Sequence, residues 1–141
     1  MSQEFKHVLV PVDFSEDAER AMEAALSLFS NAETITLITV CETISNRHAE
    51  MSADINEIMT KNTQKETQSF LEKYQGRHKN ILSVIKKGHA STQILAAAKD
   101  LDVDLIVMGS QGRSSIARVF FGSTTYDVSR KASCSIFVIR A

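Results

Sequence analysis

Five short runs rich in β-branched residues, His7 to Val12, Thr34 to Cys41, Ile81 to Ile85, Leu105 to Met108 and Ser135 to Ile139, punctuate this chain. Several are apolar at successive positions rather than alternate ones, the pattern of strands buried on both faces. Between them lie segments whose apolar residues recur at helical spacing. Ser15 to Ser30 carries Ala18, Ala21, Met22, Ala25, Leu26 and Phe29 behind a Ser15 N-cap and acidic Glu16 and Asp17. Ala49 to Gln75 carries a narrower stripe of Ile55, Ile58, Met59, Phe70, Leu71 and Tyr74, which Gly76 is expected to end. Ser91 is expected to cap a helix with Ile94, Leu95, Ala98 and Leu101, and Gly122 to Ala132 forms the last helix. Strict alternation of buried strands and helices predicts an open α/β fold: a parallel sheet, right-handed crossovers and helices on both faces. At 141 residues the chain has material for one full core, so a single domain over 1–141 is expected.

Open parallel sheets bind ligands beyond the carboxyl ends of their strands, where the strand order reverses. Two such ends attract attention: Pro11-Val12-Asp13 after the first strand and Met108-Gly109 after the fourth. From Gly109 the chain reads Gly-Ser-Gln-Gly-Arg-Ser-Ser-Ile-Ala-Arg-Val-Phe-Phe-Gly-Ser to Ser123. Gly109 and Gly112 permit close backbone approach to a ligand, and Gly122-Ser123 opens a helix whose first amides lack intrahelical acceptors. That arrangement suits a phosphate. A lone Gly-x-x-Gly reads as a plain turn; the strand before it and the Gly122-Ser123 after it shift the reading toward an anion site. Arg113 and Arg118 flank the loop and supply positive charge.

Several function classes fall away. Net charge is −1, with no tryptophan and no basic block, so nucleic acid is not an expected partner. Apolar residues make up 43% and charged residues 23%, and no run is long enough to span a membrane. The N-terminus lacks a secretion pattern, and Cys41 and Cys134 alone cannot make a disulfide framework, which fits a cytoplasmic location. Those two cysteines end and begin distant strands, so no bond between them is expected. His7, His48, His78 and His89 have no ligand-like spacing, so no structural metal is expected. Lys87-Gly88 is not followed by Ser or Thr as a P-loop requires, and the first strand leads into Pro-Val-Asp rather than Gly-x-Gly-x-x-Gly. A response regulator would need paired acids after strand one and an aspartate ending strand three.

Taken in order, Val8-Leu-Val-Pro-Val-Asp-Phe-Ser15, Asp104-Leu-Ile-Val-Met-Gly-Ser-Gln-Gly-Arg113, Phe121-Gly-Ser123 and Cys134-Ser-Ile-Phe-Val-Ile-Arg140 make the chain resemble the universal stress protein family along essentially its whole length. The nucleotide-binding branch of that family is marked by a glycine, two residues, a glycine, nine residues, and glycine with serine or threonine. Gly109, Gly112, Gly122 and Ser123 match it. The resemblance implies a five-stranded sheet ordered 3-2-1-4-5, ATP as ligand with magnesium or manganese, and a homodimer paired through strand 135–140. It further implies that Asp13 contacts the nucleotide and its metal-bound region, and that Pro11 and Val12 line the adenine side. Val40 would meet the adenine edge and Met108 the base or ribose. Gly109, Gly112, Gly122, Ser123 and Thr124 would hold ribose and phosphates; apart from the resemblance, Arg113 and Arg118 beside the loop are expected to neutralise phosphate charge. The chain departs from the family where Ser135 and His89-Ala90 stand in place of frequent prolines and where Thr124 replaces a frequent valine.

Three functions follow as expectations. The first is an ATP-dependent switch in stress response whose output is a partner protein, with loop 110–121 as its moving part. The second is slow ATP hydrolysis or phosphoryl transfer, weakened by the absence of a histidine or glutamate base in the matching loops. The third is a dimeric scaffold that no longer uses nucleotide, against which the intact glycine spacing argues.

Overall fold

The computed structural model describes residues 4–42, 49–110 and 122–140, with residues 49–53 described by their backbone alone. The order is β1 (His7–Pro11), α1 (Glu16–Leu28), β2 (Thr34–Cys41), α2 (Ala49–Tyr74), a 3-10 turn (Gln75–Arg77), β3 (Ile81–Lys87), α3 (Ala90–Asp100), β4 (Leu105–Gly109), α4 (Ser123–Lys131) and β5 (Ser135–Ile139). The strands form one sheet ordered β3-β2-β1-β4-β5, every neighbouring pair parallel. The expected fold is therefore observed.

Each face of the sheet has its own core. Val8, Val10, Leu37, Leu105 and Val107 pack against Ala18, Ala21, Met22 and Ala25 of α1 and against Phe70 and Tyr74 of α2. Leu9, Ile38, Ile106 and Met108 point the other way, against Ile94, Ala97 and Ala98 of α3 and Val128 of α4. Alternation of side chains along the strands makes this division, and the continuous apolar runs are its sequence expression. Small residues on α1 let it lie close to β4 and β1.

Ser15 caps α1 as expected, accepting from the Ala18 N–H at 3.2 Å. Two other helix boundaries differ from expectation. His89, not Ser91, is the N-cap of α3, and Ser91 lies inside the helix, buried, with its hydroxyl committed to side chains instead of backbone amides. Gly76 does not close α2 in a left-handed cap; it sits within the 3-10 turn that follows Tyr74. Strand β3 runs two residues further than its apolar pattern, through Lys86 and Lys87, which pair with Val40 and Cys41. It is an edge strand, where lysines reach water while the backbone keeps its ladder. Strand β1 ends at Pro11, although the Val12 N–H still reaches Ile38 O at 2.9 Å. Both cysteines are free.

Candidate functional site

The switch point lies between β1 and β4. From β1 the chain leaves into α1 on one face, and the helix reached after β4, α4, packs on the other. Neighbouring strands whose helices diverge in this way leave a crevice at their carboxyl ends.

On the β1 side Pro11 is half-buried and Val12 is buried in the α1/α2 core. Asp13 is exposed, and its Oδ1 accepts from the Ser15 N–H at 3.1 Å and from the Ser15 hydroxyl at 2.5 Å. The turn is closed by Phe14 at φ 64°, a left-handed conformation unusual for an aromatic residue. Its ring meets Phe70 of α2 edge-on, centroids 6.1 Å apart. Asp13 is thus held in place by the same turn that starts α1.

On the β4 side Met108 is buried, and with half-buried Val40 it belongs to the α3/α4 core. Val12 therefore packs in a different layer from Val40 and Met108; the strand ends, not one shared side-chain surface, bring these residues toward the crevice. Gly109 is half-buried, and the missing Cβ serves a helix: a Cβ there would stand 2.7 Å from Asp17 Cβ and 2.9 Å from Asp17 O. The Ser110 N–H donates to Ile139 O at 3.0 Å, and Ser110 O accepts from the Gly122 N–H at 2.7 Å. These bonds tie Ser110 to β5 and Gly122 to Ser110. Gly112 and Arg113 lie outside the described residues, as does the loop apart from Ser110.

Gly122 is the N-cap of α4, with no side-chain capping bond. The first helical bond runs from the Tyr126 N–H to Gly122 O at 2.9 Å, so the amides of exposed Ser123, half-buried Thr124 and buried Thr125 precede the helical ladder. No acidic residue stands in this first turn, while Arg130 and Lys131 stand in the last. This charge distribution leaves the positive end of the helix dipole uncompensated by the helix's own first-turn side chains, an arrangement that favours an anion.

Two residues outside the expected set hold this geometry. The Thr125 hydroxyl donates to Gly109 O at 2.8 Å, and the Ser91 hydroxyl meets Asp127 Oδ2 at 3.3 Å and His89 Nδ1 at 3.1 Å. The signal for Thr125 was its place three residues before Val128 on the apolar side of the helix, where a polar residue needs a buried partner.

The chain matches the universal stress protein family over residues 4–140. The universal stress protein UspA of Lactobacillus plantarum superposes with a TM-score of 0.88 at 26% identity, covering 99% of this chain and 100% of that one. A universal stress protein solved with cAMP superposes at 0.71 with 22% identity, covering 98% and 99% of the two chains. One from Arabidopsis thaliana with AMP bound does so at 0.65 with 19% identity, covering 95% and 90%. With the sheet order, the switch point and the match along the chain in agreement, this protein belongs to the universal stress protein family.

Proposed function

We propose that the protein binds ATP in the β1–β4 crevice and acts as a nucleotide-dependent switch in stress response, its output being a partner protein. The observation that carries this reading is the first turn of α4, which stands beside the carboxyl end of β4 with amides that have no intrahelical acceptor and with no acidic residue. Support comes also from the matching glycine spacing and from family members that hold AMP and cAMP. In this reading Pro11, Val12, Val40 and Met108 border the base and ribose, and Gly109, Gly122, Ser123 and Thr124 the ribose and phosphates. Gly112 and Arg113 would add to the phosphate contacts from outside the described residues.

Among the described residues no three His, Cys, Asp or Glu side chains gather to hold a metal ion. Asp13 offers one exposed carboxylate at the crevice. That donor set fits magnesium or manganese arriving on the nucleotide's phosphates, with Asp13 meeting it indirectly, rather than a resident ion.

The reading also includes a homodimer paired through β5, whose Ile136, Phe137, Val138 and Ile139 are only half-buried. Chromatography of nucleotide released by heating freshly purified protein, followed by titration of ATP with and without magnesium, tests the binding. Released ATP or saturable binding is the expected result. Absence of both from folded protein would favour a nucleotide-independent scaffold.

A further inference from the structure

Threonine hydroxyls in helices commonly donate to the carbonyl one turn back, as half-buried Thr60 does to Asn56 O at 2.7 Å and buried Thr67 to Thr63 O at 2.6 Å. Thr125 does otherwise. It is 3% exposed, lies in the first turn of α4, and its hydroxyl crosses to the sheet to reach Gly109 O at 2.8 Å. The bond joins the strand end at the switch point to the helix turn whose amides precede the intrahelical ladder.

We infer that Thr125 is a positioning residue for phosphate-bearing ligands, setting the first turn of α4 over the end of β4; the inference rests on the nucleotide reading above. Two consequences of the bond make this specific. It fixes the height and rotation of the Ser123, Thr124 and Thr125 amides relative to the crevice, and preorganised donors lose less on binding than ones that must be ordered. It also supplies a donor to the Gly109 carbonyl, whose partial negative charge would otherwise oppose an anion at the same strand end.

The other side of α4 is braced in the same manner. Ser91, 3% exposed, bonds to Asp127 Oδ2 at 3.3 Å and ties α4 to α3. The contact also keeps the Asp127 carboxylate turned toward α3, away from the amides one turn earlier. Between the two hydroxyls Val128 is fully buried. Thr125 on the strand side and Ser91 on the helix side therefore restrain rotation of α4 about its own axis.

The test compares ATP and adenosine affinities of the full-length wild type, Thr125→Val and Thr125→Ser, with thermal melting as the fold control. Valine keeps the shape and removes the hydroxyl; serine restores it. Thr125→Val is expected to lose ATP affinity by about tenfold and adenosine affinity by less than about twofold, with Thr125→Ser within about threefold of wild type for ATP. Equal loss of ATP and adenosine, or no loss of either, overturns the positioning role while leaving the nucleotide site standing. Failure of the folded wild type to bind ATP overturns the nucleotide reading and this inference with it. Should Thr125→Val not fold, Ser91→Ala carries the comparison with the same expected split, and its absence overturns the inference.

Discussion

Gly109 illustrates how a glycine that reads in sequence as a place for close ligand approach can answer to packing. A methyl group there would meet Asp17 Cβ at 2.7 Å and Asp17 O at 2.9 Å, atoms at the root of a buried helical residue that cannot swing aside. Gly109→Ala must push α1 away from β4, where Ala18, Ala21 and Met22 are packed. The expected cost is about 1–3 kcal/mol, read as a lower melting temperature in the absence of any nucleotide. A melting temperature equal to wild type would show that the contact yields easily and that packing against Asp17 does not require a glycine at this position. Gly76 has nothing within 4 Å of such a methyl, so the effect belongs to the position and not to glycine in general. A glycine ending a buried strand was legible in the chain, but what approaches it was not, because a helix backbone and a phosphate ask for the same missing side chain. Phe14 marks the opposite limit. Its left-handed φ of 64° is imposed by the turn from β1 to α1 and by its contact with Phe70, and nothing in Pro-Val-Asp-Phe-Ser announces it.

Among the elements, α2 shows where periodicity informs and where it misleads. Its C-terminal part buries Thr67, Phe70 and Tyr74 against the sheet, whereas Ile55 and Ile58 of the same apparent stripe are exposed. At 26 residues the helix is about 39 Å long, beyond the roughly 27 Å of the eight-residue β2, so a continuous stripe cannot all find sheet beneath it. The end of α2 is braced to α1 by Arg77, whose two terminal nitrogens donate to Glu23 at 2.7 and 2.8 Å, and by Lys73 on Glu19 at 3.2 Å. The Arg77 hydrogen bonds, opposed by a smaller burial effect and aided by the nearby positive charges, hold the Glu23 carboxyl below its ordinary value. A carboxylate whose folded value is depressed contributes stability above its unfolded value, and that contribution is lost as pH falls through the folded value. Glu23→Gln should therefore melt below wild type at about pH 6, with the gap narrowing as pH falls through the depressed folded value. A gap that persisted below that value would mean that Glu23 acts through packing and not through its charge. Neither ion pair was visible in the chain, since their partners lie 54 residues apart. Similarly, the cap of α3 fell to His89 because Ser91 was needed by Asp127 of α4, a demand set by tertiary contact.

For the molecule as a whole, the two edges of the sheet differ in how they meet solvent. Strand β3 ends in exposed Lys86 and Lys87 and is backed by α2, whereas β5 presents Ile136, Phe137, Val138 and Ile139 half-buried in succession. Phe137 and Ile139 lean toward the α1 core, and Ile136 and Val138 toward the α3/α4 core, so both faces of this edge are apolar and incompletely covered. An edge of this kind templates pairing with another strand unless charge, proline or a covering element blocks it. Pairing with β5 of a second copy would satisfy the edge backbone groups and add apolar cross-strand neighbours on both faces, since a twofold-related strand presents the same residues in return. The first residue of the strand, Ser135, is exposed and carries no charge to oppose that approach. The wild type is accordingly expected to sediment as a dimer at about micromolar concentration. Val138→Lys adds a charge of the type that blunts unpaired strands, and should raise the dimer dissociation constant by at least about tenfold, with a lower melting temperature because Val138 also packs against the α3/α4 core. A wild type that sediments only as monomer overturns β5 pairing. A Val138→Lys protein that dimerises as tightly as wild type would place the contact on another surface of the molecule.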